Sequence, residues 1–115
     1  MPTVLVFCEV HDNKLKKASR EALSIGRKLA EQAGGDLVAF ATDRAAADDA
    51  GKYGAKKLYV SDAGSYNTET YTAAMQAAIG QASPSIVLFG GTSNGRDLAP
   101  RLAARLKVGV ASDAD

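Results

Sequence analysis

The chain has 115 residues, of which 46% are hydrophobic, and its 14 lysines and arginines against 13 acidic residues leave a net charge of +1. This length and composition fit one globular domain, and the near-neutral charge argues against a nucleic-acid-binding module, which normally carries a clear basic excess. No apolar run approaches the ~20 residues that span a bilayer. A single cysteine excludes an internal disulfide and any multi-cysteine metal site, and it fits a reducing compartment.

The first element is a valine-rich apolar run at residues 4–10, which predicts a strand covered on both faces. Turn-forming residues follow at 11–14. Cys8 lies within the run, where cysteine commonly packs as a small hydrophobic residue. A nucleophilic role would need a neighbouring histidine, and His11 lies three residues along an extended chain, on the opposite face. We therefore expect Cys8 to be a packing residue.

Helices and strands then alternate along the chain. Apolar residues at helical spacing predict a helix over residues 17–33, which Gly34 ends in the left-handed conformation. The next elements are a strand, a short helix, a strand, a polar loop, a helix and a strand, predicted at residues 36–41, 44–53, 57–60, 61–68, 69–82 and 86–89. A fifth strand is predicted at residues 108–111.

Strands that are separated by helices must pair in parallel, because a parallel connection needs a crossover of about a dozen residues. Right-handed crossovers then place helices on both faces of the sheet. The sequence therefore predicts a three-layer, doubly wound α/β fold with a mostly parallel sheet in the order 3-2-1-4-5. Ligands of such sheets bind beyond the carboxyl ends of the strands, at the point where the strand order reverses. That point lies between the first and fourth predicted strands.

The most informative segment is the glycine-rich turn GGTSNG at residues 90–95. Glycines let backbone N–H groups approach a phosphate, and a following helix N-terminus favours anions. A nucleotide site would consist of Gly90, Gly91, Thr92 and Gly95. The alternative is a structural turn, because the segment lacks the lysine of a P-loop and the G-x-G-x-x-G spacing. Asp97 favours this alternative, since its carboxylate could itself cap the exposed N–H groups.

Pro100 constrains the helix that follows. Proline lacks an amide hydrogen and is tolerated in the first helical turn, so we expect the regular helix to begin near Asp97, with residues 94–96 as a separate turn. Its buried stripe would comprise Leu98, Ala99, Leu102, Ala103 and Leu106. Arg101 and Arg105 would share another face, which is either solvated or a partner-binding surface, because arginine is enriched at interfaces.

Residues 89–103, taken together, resemble the N-terminal domain of the electron-transfer flavoprotein alpha subunit. This family carries a T-x-x-G-[KR]-D-L-x-x-R-[LV]-A pattern after its fourth strand. The matching residues are Thr92, Gly95, Arg96, Asp97, Leu98, Arg101, Leu102 and Ala103. The opening VLVFCEV and the KYGA segment at residues 52–55 also agree, whereas the family usually has a different residue near Gly91.

The resemblance implies a Rossmann-like fold of the adenine nucleotide alpha hydrolase type. It implies that residues 1–115 are the N-terminal domain of a longer alpha subunit, whose C-terminal FAD-binding domain lies outside this chain. FAD would then bind the full-length protein, AMP would bind the partner beta subunit, and this domain would hold no catalytic, metal-binding or redox-active residue. The family carries electrons from flavin dehydrogenases, such as acyl-CoA dehydrogenases, to a quinone reductase or another acceptor.

The resemblance also implies a role for the arginine-rich helix. It would be an interface to the beta subunit or the flavin domain, and the candidate residues are Arg96, Asp97, Arg101 and Arg105. The expected location is the bacterial cytoplasm or, in a eukaryote, the mitochondrial matrix. The alternative function is a stand-alone adenine-nucleotide-binding module resembling the universal stress proteins. A hydrolase or transferase has little support, because the sequence shows no nucleophile–base pair, metal cluster or paired carboxylates in a common turn.

Overall fold

The computed structural model describes residues 3–61, 67–90, 92–106 and 109–111, with backbone alone at positions 93, 103–106 and 109–111. The strands are β1 Thr3–Phe7, β2 Val10–His11, β3 Lys14–Leu15, β4 Asp36–Ala41, β5 Lys57–Val60, β6 Ile86–Phe89 and β7 Gly109–Ala111. The helices are α1 Lys17–Ala33, α2 Ala47–Lys52, α3 Thr68–Ala82 and α4 Ser93–Leu106. Within these ranges no helix combines the length and apolar character that a membrane crossing requires.

Five strands form one parallel sheet in the order β5-β4-β1-β6-β7. The central strand β1 pairs with β4 on one side and with β6 on the other, so that Val4 lies beside both Leu37 and Ile86. The sheet order reverses between β1 and β6. This arrangement confirms the predicted doubly wound sheet and its order 3-2-1-4-5.

Both faces of the sheet are covered, which confirms the three layers. Successive residues of β1 alternate between the faces: Val4 and Val6 pack with residues of α1 and α2, whereas Leu5 and Phe7 pack with residues of α3 and α4. The α1 helix lies unusually close to the sheet. A Cβ atom at Gly26 would lie 2.9 Å from Cγ2 of Val6, so a larger residue there would force the layers apart.

The first strand ends at Phe7, so the prediction of a strand over residues 4–10 was wrong in extent. The chain instead forms a short antiparallel hairpin from β2 and β3. Its turn residues, Asp12 and Asn13, have φ values of 51° and 63°. Two consecutive positive φ values are typical of a type I′ hairpin turn, which asparagine and aspartate tolerate. The predicted turn at residues 11–14 is therefore confirmed.

The predicted helix over residues 44–53 is divided into a 3-10 turn, Arg44–Ala46, and the six-residue α2. The side chain of Asp43 explains where the turn begins, because its Oδ1 accepts a hydrogen bond of 2.9 Å from the amide of Ala45. The helix predicted over residues 69–82 begins one residue earlier, at Thr68, where the Asn67 side chain caps it. Helix α1 and its left-handed terminus at Gly34 are as predicted.

Helix α4 begins at Ser93, so the prediction of a start near Asp97 was wrong. Residues 94–96 belong to its first turn rather than to a separate turn. Pro100 consequently lies inside the helix, where proline costs about 3 kcal/mol. Burial of Leu98 and Leu102, neither of which is exposed, offsets that cost, since each buried leucine contributes roughly 1.5–3 kcal/mol.

Candidate functional site

The turn between β6 and α4 is tightly packed around two glycines. A Cβ atom at Gly90 would lie 2.8 Å from the carbonyl oxygen of Ala18 in α1. A Cβ atom at Gly95 would lie 2.5 Å from the carbonyl oxygen of Gly90. Both positions therefore exclude a side chain for reasons internal to the domain. Gly91 lies outside the described residues.

Three backbone amides at this turn, those of Thr92, Gly95 and Arg96, have acceptors inside the domain. The Thr92 amide donates to the Gly90 carbonyl oxygen at 2.9 Å, and the Arg96 amide donates to the Thr92 carbonyl oxygen at 2.9 Å. The Gly95 amide donates to Oγ1 of Thr92 at 3.0 Å. Thr92 thus serves as the N-cap of α4, and a phosphate could bind these three amides only by displacing their internal bonds.

Asp97 joins two helices instead of capping one. It is the fifth residue of α4, and the first turn of that helix contains no acidic residue, so the expectation that Asp97 caps the helix start was wrong. Its Oδ2 accepts a 2.7 Å hydrogen bond from Oγ1 of Thr68, the first residue of α3. Its Oδ1 lies 3.5 Å from Nε of Arg101. The carboxylate therefore ties the start of α3 to the middle of α4.

The solvent-facing part of α4 forms a continuous strip, which we call the α4 strip and define as Arg96, Asp97, Pro100 and Arg101. Arg96, Pro100 and Arg101 are exposed and Asp97 is intermediate. The Arg101 side chain retains 55% of its accessible surface despite its ion pair with Asp97. The structure thus brings three of the four interface candidates together on one surface. The side chain of the fourth, Arg105, lies outside the described residues.

Four aromatic rings pack between the sheet and helices α3 and α4, near the carboxyl ends of the central strands. The rings of Phe7 in β1 and Phe89 in β6 lie 5.4 Å apart, centroid to centroid, on either side of the point where the strand order reverses. Phe40 of β4 stacks on Phe7 at 6.0 Å, and Tyr71 of α3 meets it edge-on at 6.2 Å. All four residues are buried. These rings therefore belong to the core between the sheet and helices α3 and α4.

Cys8 is a buried packing residue, as expected. Its thiol donates a weak hydrogen bond of 3.7 Å to the carbonyl oxygen of Val6. Burial raises the pKa of Cys8 to about 12, and the nearby charge of Glu9 adds to the rise. The thiolate, which is the nucleophilic form, is therefore scarce at neutral pH. His11 lies on the exposed hairpin beside Asp12.

Glu9 is the residue that the sequence interpretation missed. The residue is only 9% exposed, and its Oε1 atom has no hydrogen-bond partner among the described residues. The signal available in the sequence was a charged residue within the otherwise apolar run VLVFCEV. Elsewhere, the described part of the chain contains no group of three or more His, Cys, Asp or Glu residues that could hold a metal ion.

The comparisons with known proteins agree with this architecture. The family model described as the electron transfer flavoprotein domain matches residues 4–115. Among solved structures, a universal stress protein in complex with cAMP superposes with a TM-score of 0.61 and 18% identity, covering 96% of this chain and 94% of that one. A universal stress protein from Archaeoglobus fulgidus gives a TM-score of 0.60 and 11% identity, covering 97% and 93%. At such identities the likeness is one of fold.

The relatives found by sequence similarity indicate the family more specifically than the solved structures do. The electron transfer flavoprotein subunit alpha of Syntrophomonas wolfei is 38% identical over 112 residues, covering 95% of this chain and 35% of the relative. The acryloyl-CoA reductase electron transfer subunit beta of Anaerotignum propionicum is 37% identical over 116 residues, covering 96% and 32%. This chain thus spans about a third of the length of these curated relatives. The match to the family model over nearly every residue means that the chain belongs to the electron transfer flavoprotein family.

Proposed function

We propose that residues 1–115 are the N-terminal domain of an electron-transfer flavoprotein alpha subunit and that they act as its scaffold and interface domain. The observation that carries this role is the internal use of the turn after β6: the amides of Thr92, Gly95 and Arg96 bond within the domain. A turn whose donors are satisfied in this way supports packing rather than cofactor binding. The match to relatives about three times as long supports a domain of a larger protein.

The rest of the proposed function concerns that larger protein. FAD would be held by a C-terminal domain outside this chain, and AMP by the partner beta subunit. Electrons would pass from flavin dehydrogenases, such as acyl-CoA dehydrogenases, to a quinone reductase or another acceptor, in the bacterial cytoplasm or the mitochondrial matrix. This chain would contribute no catalytic group. The relatives are named as electron transfer subunits, which supports the existence of a partner subunit.

The α4 strip is the proposed contact with the beta subunit. It combines two exposed arginines with an exposed proline on one helix. Arginine is favoured at interfaces because its planar guanidinium makes several hydrogen bonds at once and also stacks on apolar surfaces. The ion pair with Asp97 restricts the Arg101 side chain. This restriction lowers the side-chain entropy that is lost when a partner binds. Arg105 belongs to the same helix and is included as a candidate.

The test is assembly of the purified chain with the beta subunit from the same organism. We expect a stable complex on size-exclusion chromatography, and we expect the chain alone to purify without flavin absorbance. Arg101→Glu should weaken the complex by roughly 10-fold or more, as at interface positions that cost over 1 kcal/mol when truncated. Arg27→Glu is the matched control, because Arg27 forms a similar i,i+4 ion pair, with Glu31, on the exposed face of α1.

Two results would contradict the proposed function. One is failure of the wild-type chain to associate with the beta subunit, measured by titration calorimetry. The other is stoichiometric FAD on the isolated chain. If Arg101→Glu and Arg27→Glu weakened assembly equally, the domain role would stand but the α4 strip would not be the interface.

The alternative function, a stand-alone adenine-nucleotide-binding module, rests on fold similarity to universal stress proteins at 11–18% identity. Likeness of fold alone does not transfer a binding site. In the described part of the turn, three amides that a phosphate could use, those of Thr92, Gly95 and Arg96, are already bonded within the domain. We therefore keep the scaffold and interface role as the proposed function.

A further inference from the structure

Two hydrogen bonds of its backbone fix the position of Glu9. Its amide donates a 2.8 Å hydrogen bond to Oγ of Ser19, and its carbonyl oxygen accepts one of 2.9 Å from the amide of Lys16. These two bonds fasten Glu9 to the first turn of α1. The residue as a whole is only 9% exposed, and none of the ion pairs found among the described residues includes it.

A buried carboxylate oxygen without a donor destabilises the domain that carries it. Removing a carboxylate oxygen from water costs free energy unless a hydrogen bond or an opposite charge replaces the lost hydration. Oε1 of Glu9 has neither among the described residues. Positions where a protein breaks such a rule without internal compensation are often functional. The missing partner of Glu9 is therefore a hydrogen-bond donor, and a positive charge would compensate it best.

The position of Glu9 places it next to the proposed interface. It comes two residues after β1 ends at Phe7. It therefore lies at the carboxyl-terminal edge of the sheet, near the point where the strand order reverses between β1 and β6. The turn after β6 reaches the same place, because Gly90 packs against Ala18 in the first turn of α1. Helix α4 starts from that turn. A partner lying on the first turns of α1 and α4 would thus cover Glu9 and the beginning of the α4 strip together.

We propose that Glu9 is a binding residue for a basic side chain of the beta subunit, an arginine or lysine that forms a buried ion pair with its carboxylate on assembly. This inference rests on the proposed function. Oε1 is closed from solvent in the isolated chain, and rotation about the terminal torsion of the side chain, which has broad minima, can exchange it with Oε2. The backbone of Glu9 stays fixed by Ser19 and Lys16, so only the side chain has to move.

Other ligands fit Glu9 less well. A phosphate would be repelled by its negative charge. A metal ion needs several oxygen, nitrogen or sulfur ligands, and the described residues offer no group of three acidic, histidine or cysteine side chains. A guanidinium or ammonium group needs only the one carboxylate, and arginine can bind it through two parallel hydrogen bonds.

The first arm of the test measures the stability of the chain alone. We expect Glu9→Met to raise the thermal midpoint of unfolding, because the substitution keeps the length of the side chain and removes an unpaired buried charge. Glu21→Met on the exposed face of α1 is the control and should leave the midpoint nearly unchanged. A lower midpoint for Glu9→Met would mean that the carboxylate has a stabilising role inside the domain, and it would overturn the inference.

The second arm measures affinity for the beta subunit by titration calorimetry. Glu9→Gln and Glu9→Met should each weaken binding by roughly 30-fold or more, as expected when one member of a buried charge pair is removed, whereas Glu21→Gln should bind as the wild type does. If the wild type and both Glu9 variants bind equally, the inference fails and the proposed function stands. If the wild type does not bind at all, both fail. A domain that gains stability but loses affinity supports the inference.

Discussion

At the residue scale, the β6–α4 turn depends on the absence of side chains at two positions. Gly95 faces the carbonyl oxygen of Gly90 so closely that a Cβ would lie 2.5 Å from it, and Gly90 faces the backbone of Ala18 in the same way. Neither of these two glycines has a positive φ. Space, rather than backbone conformation, therefore selects glycine here. The sequence pattern alone cannot distinguish this reason from close approach to a phosphate.

Gly95→Ala should lower the free energy of unfolding by about 1–3 kcal/mol, the range for forced overpacking, because the contacted atom is a backbone oxygen that cannot move aside. Gly80→Ala is the control: nothing lies within 4 Å of its Cβ position inside α3. That change should stabilise the protein by about 0.5–1 kcal/mol. Urea denaturation measures both, and equal midpoints for the two variants would contradict the packing explanation.

At the scale of elements, α4 shows how a local rule is overridden. The rule that proline belongs in the first helical turn predicted a late start near Asp97, but the helix begins at Ser93 and contains Pro100 within it. Thr92 supplies the cap that a late start would have left to Asp97. Asp97 instead bonds to Thr68 of the neighbouring helix. The positions of α3 and α4 relative to each other, which the local sequence does not contain, settle what Asp97 does.

Thr92→Ala should destabilise the protein by about 0.5–2 kcal/mol, the typical cost of removing an N-cap hydroxyl. Thr92→Ser keeps a hydroxyl at the same distance along the side chain and should lose much less. Chemical denaturation followed by circular dichroism gives both values. If serine proved as costly as alanine, the methyl group of Thr92, and not its hydrogen bond to the Gly95 amide, would be the stabilising part.

At the scale of the whole molecule, the strand order and the side-chain packing have opposite implications for ligand binding. The parallel sheet reverses its order between β1 and β6, which is the usual ligand position in doubly wound folds. The buried cluster of Phe7, Phe40, Tyr71 and Phe89 fills one side of that position. On the other side lie the first turn of α1, which contacts Gly90, and the acidic side chain of Glu9.

We therefore expect the chain not to bind adenine nucleotides. Titration calorimetry with ATP and AMP up to millimolar concentrations should show no saturable heat, and neither nucleotide should raise the thermal midpoint, because a ligand that binds the folded state stabilises it. A nucleotide-binding universal stress protein measured in the same buffer is the positive control. Saturable binding of either nucleotide to the wild-type chain would instead support the alternative function.

The sequence by itself determined the order of the elements, the parallel sheet and its doubly wound topology. Those properties follow from hydrophobic periodicity and from glycine and proline positions, all of which are local along the chain. It also contained the motif of residues 92–103 that relates the chain to its family. Element boundaries were less accurate, as at the end of β1 at Phe7 and the start of α4 at Ser93.

Only the tertiary structure decided the roles of particular residues in the site. Glu9 bonds to a side chain ten residues away, and Asp97 to one 29 residues away. Gly90 is restricted by Ala18, which belongs to a different layer of the fold. Burial and hydrogen-bond partners depend on such contacts between distant segments, so the residue types alone could not separate a phosphate site from a packed turn or reveal a buried carboxylate without a donor.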